Sequence, residues 1–254
     1  MKIISYNVNG IRAAIQKGFV AWLTQENPDI ICLQELKAEE EQVDLQEIKS
    51  LGYHVYWHSA QKKGYSGVGI FTKIKPKSIQ YGCGIEKYDF EGRVIQVDFD
   101  TYSVMSVYMP SGSSGDERQS FKMEWLNDFQ HYTVELVKRH PNIIIAGDYN
   151  ICHRAIDIHN PKSNANSSGF LPEEREWMEN YINHGFVDTF RWVHPELDQQ
   201  YSWWSYRANA REKNLGWRID YLLATKAMAS SIKNASILAD IKHSDHCPIL
   251  LEIN

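Results

Sequence analysis

Cysteine is scarce in this chain, and long hydrophobic runs are absent. The four cysteines among 254 residues (Cys32, Cys83, Cys152 and Cys247) lie far apart, and no C-x-x-C pair occurs. Each sits among apolar or small neighbours, so reduced thiols in a cytosolic protein are expected, not a disulfide framework or a zinc site. No apolar stretch approaches membrane-spanning length. The opening MKIISYNVNG lacks the apolar core and small-residue cleavage site of a signal peptide, and reads at once as a strand. There is no internal repeat, no low-complexity linker, no G-x-S-x-G elbow and no Walker loop, and no cysteine stands in a nucleophile's context. The net charge of −5 excludes a broadly basic coat but not a local basic groove.

What is present is an ordinary globular composition, 43% hydrophobic and 23% charged, with many aromatics: 8 Trp and 14 Tyr. Strand-like runs recur at 2–8, 29–35, 53–59, 67–72, 93–99, 103–109, 142–148, 218–224 and 248–253. Helical patterns fall between them. In 116–139, Phe121, Trp125, Phe129, Tyr132 and Leu136 recur at steps of three and four behind an acidic first turn. Segments 11–26 and 172–183 are similar, the latter opening on Pro172, Glu173 and Glu174. Mixed elements throughout predict one α/β domain of layered sheets over 1–254.

The stretch IIIAGDYNI (143–151) poses the functional question: an apolar strand ends abruptly in Asp148 and Asn150. Gly, Asp and Asn are ordinary turn residues, yet a rigid strand can also aim polar groups into a cleft. Asn7 and Asn9 follow the first strand, Glu35 ends the second and Tyr108 ends SVMSVYM. Asp220 lies in GWRIDYLLA, while Asp245 and His246 precede the final strand. Any one of these reads as a cap or a satisfied core group; their repetition points to a convergent site.

The inventory suits one chemistry. Glu35 and Asp245, with carboxamides nearby, are hard oxygen donors for Mg²⁺ or Mn²⁺ rather than zinc. An Asp–His pair can orient an imidazole, Asp148 can orient or deprotonate a water, and Asn150 can hold that water or donate to a developing oxyanion. Metal-assisted attack of water on a phosphoester fits best.

Six separated motifs, SYNVNGIRAA, PDIICLQELK, VYMPSG, GDYNI, GWRIDYLLA and SDHCPI, stand in the order found in the exonuclease III family of AP endonucleases. That family belongs to the DNase I-like endonuclease/exonuclease/phosphatase superfamily. ICLQE, GDYN and SDHCPI alone would reach only the larger group. NVNGIRAA, IDIHNPKSN, SGFLPEERE and NLGWRIDY resemble the DNA-repair branch over essentially the whole chain.

The resemblance implies an α/β four-layer sandwich of two packed, largely antiparallel β-sheets flanked by helices. It implies cleavage 5′ to an abasic site, leaving a 3′-hydroxyl, with accompanying 3′→5′ exonuclease or 3′-phosphodiesterase activity. Glu35 would be the principal metal ligand, with Asn7, Asp148, Asn150, Asp245 and His246 around the ion. Asp148 would activate water beside Asn150, His246 paired with Asp220 would hold the scissile phosphate, and Tyr108 would touch it. Asn9 stands where some members carry an Asp that reaches the metal, and Asn164 matches a position near the target phosphate. Trp203, Trp217 and Ile219 would wall the slot for a flipped abasic sugar, with Arg207, Arg211, Lys213 and Arg218 as the local basic patch. Lys73, Lys75 and Lys77 read equally as a distal phosphate contact or a solvated edge strand.

One departure is visible. Ser111–Ser114 replace the Asn and basic residue that many relatives carry after YMP, while Ser167 and Ser168 sit near the expected pocket mouth. The expected partner is double-stranded DNA with abasic sites or 3′-blocked ends, and no membrane. The protein is expected to be a monomer in the cytoplasm, associated with the nucleoid through DNA. Two other readings remain at this point: hydrolysis of a small phosphoester or phospholipid, and a catalytically dead DNA-binding module.

Overall fold

The computed structural model describes residues 1–254. Its strands are β1 (Lys2–Asn7), β2 (Ile30–Gln34), β3 (His54–His58), β4 (Val68–Thr72), β5 (Ser78–Tyr81), β6 (Val94–Asp98), β7 (Ser103–Tyr108), β8 (Ile143–Asp148), β9 (Phe186–Asp188), β10 (Asp220–Thr225), β11 (Ile232–Ile237) and β12 (Ile249–Ile253). Helices α1 (Ile11–Gln16), α2 (Phe19–Glu26), α3 (Gln46–Ser50), α4 (Glu86–Asp89), α5 (Asp116–Arg139), α6 (Pro172–Asn183) and α7 (Thr189–Val193) fill the connections. Two six-stranded sheets form, in the orders β11-β12-β1-β2-β4-β3 and β5-β6-β7-β8-β10-β9. Each is antiparallel except for one central parallel pair, β1 with β2 and β7 with β8.

The layering explains the apolar runs. Ile144 and Ala146 face the other sheet, in a core shared with Ile3, Ile30, Cys32 and Ile70. Ile143 and Ile145 point the opposite way, against Trp125, Leu126 and Phe129 of α5 and Met178 and Tyr181 of α6. Tyr6, Ile31 and Leu33 of the first sheet meet α1, α2 and α3 in the same manner. A strand covered on both faces has no solvent side to mark with polar residues, hence IIIA. Helix α5 opens on Asp116 and Glu117 and closes on Lys138 and Arg139, charges that complement its dipole. Helix α6 begins with Pro172 at its first turn.

One predicted element divides, and three strands are added to those predicted. The helical pattern of 11–26 is two helices, because Gly18 takes a left-handed φ of 94° between them. Strands β5, β9 and β11 were not foreseen: β5 and β11 are edge strands with little apolar signal, and β9 is three residues long. All four cysteines are buried and unpaired.

The topology gathers the site. The C-terminal ends of β1, β2, β7 and β8 lie at one end of the sandwich, since Asn7 pairs with Gln34 and Tyr108 with Asp148. Strand β10 begins there, Asp220 opposite Asp148. Gly147 is required at this junction, because a Cβ would lie 1.9 Å from the Val107 carbonyl oxygen. By the same registers Thr72 pairs with Ile30 at the far end, so Lys73, Lys75 and Lys77 are remote from the site. Lys77 pairs with Asp100 and the Lys73 ammonium lies over Tyr53, and all three lysines fall in the loop between β4 and β5 rather than on an edge strand.

Candidate active site

The chain leaves its strands sharply at this end. Asn9, Glu35 and Asn150 have φ of 45°, 51° and 53°, a left-handed conformation that for Glu35 is disfavoured by about 1 kcal/mol. The turn after each strand thereby carries a polar side chain over the sheet edge. Glu35, Tyr108, Asp148, Asn150, Trp203, Trp217, Ile219, Asp245 and His246 line one open cleft of about 370 Å³.

Asn7, fully buried beneath the cleft, donates through Nδ2 to Glu35 Oε1 at 2.9 Å and Asp148 Oδ2 at 2.8 Å. Its Oδ1 accepts from the Asn9 backbone N–H at 3.0 Å. Asn7 is thus a clamp between two carboxylates, and its oxygen is turned away from where the resemblance would have it ligate. The Asn150 N–H donates to Asp148 Oδ1 at 2.8 Å, and Asn150 Nδ2 to the Met109 carbonyl at 2.9 Å. Asp220 Oδ2 accepts from Ser202 Oγ at 2.6 Å and from His246 Nδ1 at 2.9 Å, so the other imidazole nitrogen faces the cleft, 3.8 Å from Asp148. Asp245 accepts from Asn9 Nδ2 at 2.9 Å and from the Trp203 indole N–H at 3.0 Å. Lys37 lies 2.8 Å from Glu35, and Arg93 lies over the Tyr108 ring at 4.8 Å.

The electrostatics are those of an acid-rich site. Burial, then the Asp220 charge, raises the Asp148 carboxyl well above the usual carboxylate range. Burial opposes the imidazolium of His246, but Asp220, Asp148 and Asp245 outweigh it and push that group up. Tyr108 is held up by burial and by the charge of Glu35, so its phenol remains a donor at neutral pH. Asp220 Oδ1 is buried with no partner.

Beside this cluster the T-shaped pair Trp203–Trp217, 6.0 Å between ring centres, stands over Ile219, Ile158 and Phe170. Trp203, Trp217 and Ile219 therefore form an apolar wall in the same cleft as the charged cluster.

The chain also resembles known proteins in full. The sequence profile of the Endonuclease/Exonuclease/phosphatase family matches residues 4–246. The chain belongs to this family. It is 49% identical over 100% of both chains to an exodeoxyribonuclease of Bacillus subtilis. It is 40% identical to the DNA repair nuclease APEX1 of Danio rerio, over 99% of this chain and 81% of that relative. Among solved structures, an AP endonuclease from Archaeoglobus fulgidus superposes with a TM-score of 0.91 at 31% identity, covering 100% of this chain and 99% of that one. The 3′ phosphatase NExo from Neisseria bound to product DNA hairpin gives 0.92 at 29% identity, over 100% and 99%. The two-sheet sandwich is the DNase I-like fold of these neighbours.

The endonuclease/exonuclease/phosphatase family depends on a divalent metal, and the donors present fit one. Glu35, Asp148 and His246 offer ligand atoms within 4.8 Å of one another, two of them hard carboxylate oxygens held side by side by a single amide. Asp245 is outside that group, its oxygens turned to Asn9, Ser244 and Trp203.

Three expected DNA contacts are otherwise engaged. Arg211 donates to the backbone carbonyls of Ser244, Ala239 and Ile241 and lies over Trp204, clamping the loop that carries Asp245. Arg218 is 1% exposed and paired with Asp157 and Asp188, so it leaves the basic patch. Asn164 caps its own loop through the carbonyls of His159 and Asn160. What the sequence reading missed is support: Ser202 beneath Asp220, and the buried pair of Lys122 and Glu174 behind Asn150. The GFLPEERE motif contained Glu174, but nothing in its spacing shows a buried partner fifty residues away.

Proposed function

We propose that this chain is a metal-dependent DNA-repair nuclease of the exonuclease III type, working as a one-domain monomer. It would hydrolyse the phosphodiester 5′ to an abasic site and leave a 3′-hydroxyl, with 3′→5′ exonuclease and 3′-phosphodiesterase activity on double-stranded DNA. The observation that carries this is the apolar indole wall in the same cleft as the Asp148–His246 cluster. A small phosphoester needs no such wall, and a mere binding module needs no Asp–His pair.

Glu35 and Asp148 would hold Mg²⁺ or Mn²⁺, which supplies charge neutralisation at the phosphate and a lowered water pKa. His246, kept cationic and fixed by Asp220, donates to a non-bridging phosphate oxygen. Asp148, fixed by Asn7 and the Asn150 N–H, takes the proton from the attacking water as the bond to the 3′-oxygen breaks, and solvent water in the open cleft protonates the departing 3′-oxygen to the hydroxyl. Tyr108 donates to the same phosphate. Trp203, Trp217 and Ile219 accept the bare deoxyribose, whose extrusion has no base to unstack.

The test is a purified sample with a duplex bearing one abasic analogue, with and without Mg²⁺ or Mn²⁺. Metal-dependent 3′-hydroxyl ends at the lesion are expected. An uncut duplex overturns the reading; turnover of a small phosphodiester alone points to the phosphatase branches, and binding without cleavage to a DNA-binding module.

A further inference from the structure

Lys122 and Glu174 form an ion pair with neither side chain exposed, 2.5 Å apart, where the inner face of α5 meets the start of α6. Burying two charges in an apolar layer is rarely the stabilising choice, since well-packed hydrophobes often do as well. What distinguishes the pair is what it holds. Lys122 Nζ donates to the Asn150 carbonyl at 2.8 Å, gripping the loop that supports Asp148. Glu174 Oε2 accepts from the Gly169 and Leu171 backbone N–H groups at 2.6 and 3.0 Å, gripping the loop at the mouth of the slot. Gln119 extends the connection, donating to Glu174 at 3.1 Å and accepting from Ser168 Oγ at 2.9 Å.

The loop is tightly packed at this point. Gly169 has φ of +93°, and a Cβ there would lie 3.1 Å from the Trp217 ring and 3.2 Å from the Asn150 carbonyl oxygen. The backbone of this loop thus packs directly against the indole of Trp217, which forms one wall of the slot. The position of Gly169 therefore supports the position of that indole, and the only charged side chain bonded to its N–H is Glu174.

We propose that the Lys122–Glu174 pair is a positioning hub that fixes the width of the slot, and so determines how strictly a nucleotide bearing a base is excluded. The proposal rests on the abasic-site reading above. Neither residue touches substrate; each acts through Gly169, Ser168 and Asn150.

The experiment compares wild type, the charge-free pair Lys122→Met with Glu174→Gln, and Gln119→Met, which cuts the bonds of Gln119 to Glu174 and Ser168 but leaves the ion pair and its bonds to Gly169 and Leu171. For each, kcat/KM is measured on an abasic duplex and on removal of a normal 3′-terminal nucleotide, alongside the melting temperature. The double variant is expected to lose about 10-fold in the ratio of the two, with kcat on the abasic duplex within a few-fold of wild type. Gln119→Met is expected to shift the ratio the same way by less. If either folded variant keeps the wild-type ratio while losing only melting temperature, the pair is structural and the proposal falls. If the double variant does not fold, Gln119→Met decides alone. A wild-type protein that ignores the abasic duplex overturns the abasic-site reading instead, a result distinguishable from an unchanged ratio.

Discussion

Arg218 and Asp220 are two residues apart, yet they belong to buried ionic clusters of opposite construction. Around Arg218, two arginines meet two aspartates. Arg191 and Arg218 both bond Asp157, Arg218 also bonds Asp188, and all four carboxylate oxygens accept a hydrogen bond. Around Asp220, four carboxylates (Glu35, Asp148, Asp220 and Asp245) face His246, with Lys37 on Glu35, and one carboxylate oxygen has no partner. The first cluster is neutral and closed; the second carries excess negative charge and opens onto a cleft. Burial of acid without matching base raises a carboxyl's pKa, and burial with matching base lowers it. Asp148 and Asp157, both buried, move in opposite directions for this reason. An imbalance of this kind, at a cleft, marks a place for a cation and a reaction.

The largest effect should come from Asp148→Asn. Metal-dependent cleavage is expected to fall by roughly 10³-fold or more, the scale of a lost general base. Melting without metal should not fall above about pH 8, where Asp148 is ionised, because a like-charge contact with Asp220 is then relieved. Single-turnover cleavage and calorimetry on one preparation check both, and a metal-free protein that melts well below wild type would break the comparison. Glu35→Ala should instead raise the metal concentration needed, and added Mn²⁺ should recover its activity better than that of Asp148→Asn or His246→Asn. Equal, metal-insensitive losses in all three would show the roles divided wrongly.

In the closed cluster the order reverses. Asp157→Ala leaves Arg191 and Arg218 buried without their shared carboxylate, and should lower stability by about 3–5 kcal/mol in urea denaturation. At temperatures where the variant stays folded, its cleavage rate per folded molecule should change only a few-fold. A loss on the scale of Asp148→Asn would mean that the two clusters are one functional unit.

How far the sequence announced this contrast depends on the residue. Asp148, Asp220 and His246 were legible because they stand at or just before the terminus of an apolar strand, Asp148 ending β8, Asp220 opening β10 and His246 preceding β12. The nine strands and α5 and α6 were legible from periodicity alone. Arg218 was not: in NLGWRIDY it looks like any basic residue among aromatics, and its partners Asp157 and Asp188 lie 61 and 30 residues away. The bonds from Arg211 to three loop carbonyls were hidden for the same reason, since no pattern reveals them. The Lys73–Lys77 group needed the register of β4, which alone shows it to be at the far end. Local pattern reveals which residues sit at strand ends; pairing across the chain decides which charges are free.

The clusters should also respond to pH with opposite sign. Burial opposes the Asp157 carboxylate, but Arg218 and Arg191 outweigh it and hold its pKa down at about 2. A depressed carboxyl contributes stability above its unfolded value near 3.9, lost as pH falls toward 2, and the shift corresponds to about 2 kcal/mol. Asp148 is raised to about 8, so the folded state holds its proton where the unfolded chain has lost it. That contribution is full below about 3.9 and disappears as pH rises through 8. Metal-free protein should therefore lose stability at both ends, and saturating Mg²⁺ or Mn²⁺ should flatten only the alkaline limb, since a bound cation replaces the proton. Asp157→Asn should flatten only the acid one.

The smallest effect belongs to the apolar wall between the clusters, and it tests whether the slot is separate from both. Trp217 pairs through its backbone with Trp203 and with Ile158, next to Asp157, while its ring faces the cleft. Trp217→Ala removes apolar contact with the sugar but no charged group. Abasic-site cleavage should fall by about 10-fold, within what one lost apolar contact contributes to discrimination. The metal concentration for half-activity should not move, because Glu35 and Asp148 are untouched. Affinity for undamaged duplex should stay nearly intact and keep its salt dependence, since it rests on phosphate contacts. Matched abasic and undamaged duplexes across a salt series separate these outcomes. If the variant discriminates between them as well as wild type does, Trp217 is core, and selectivity must come from the charged cluster after all.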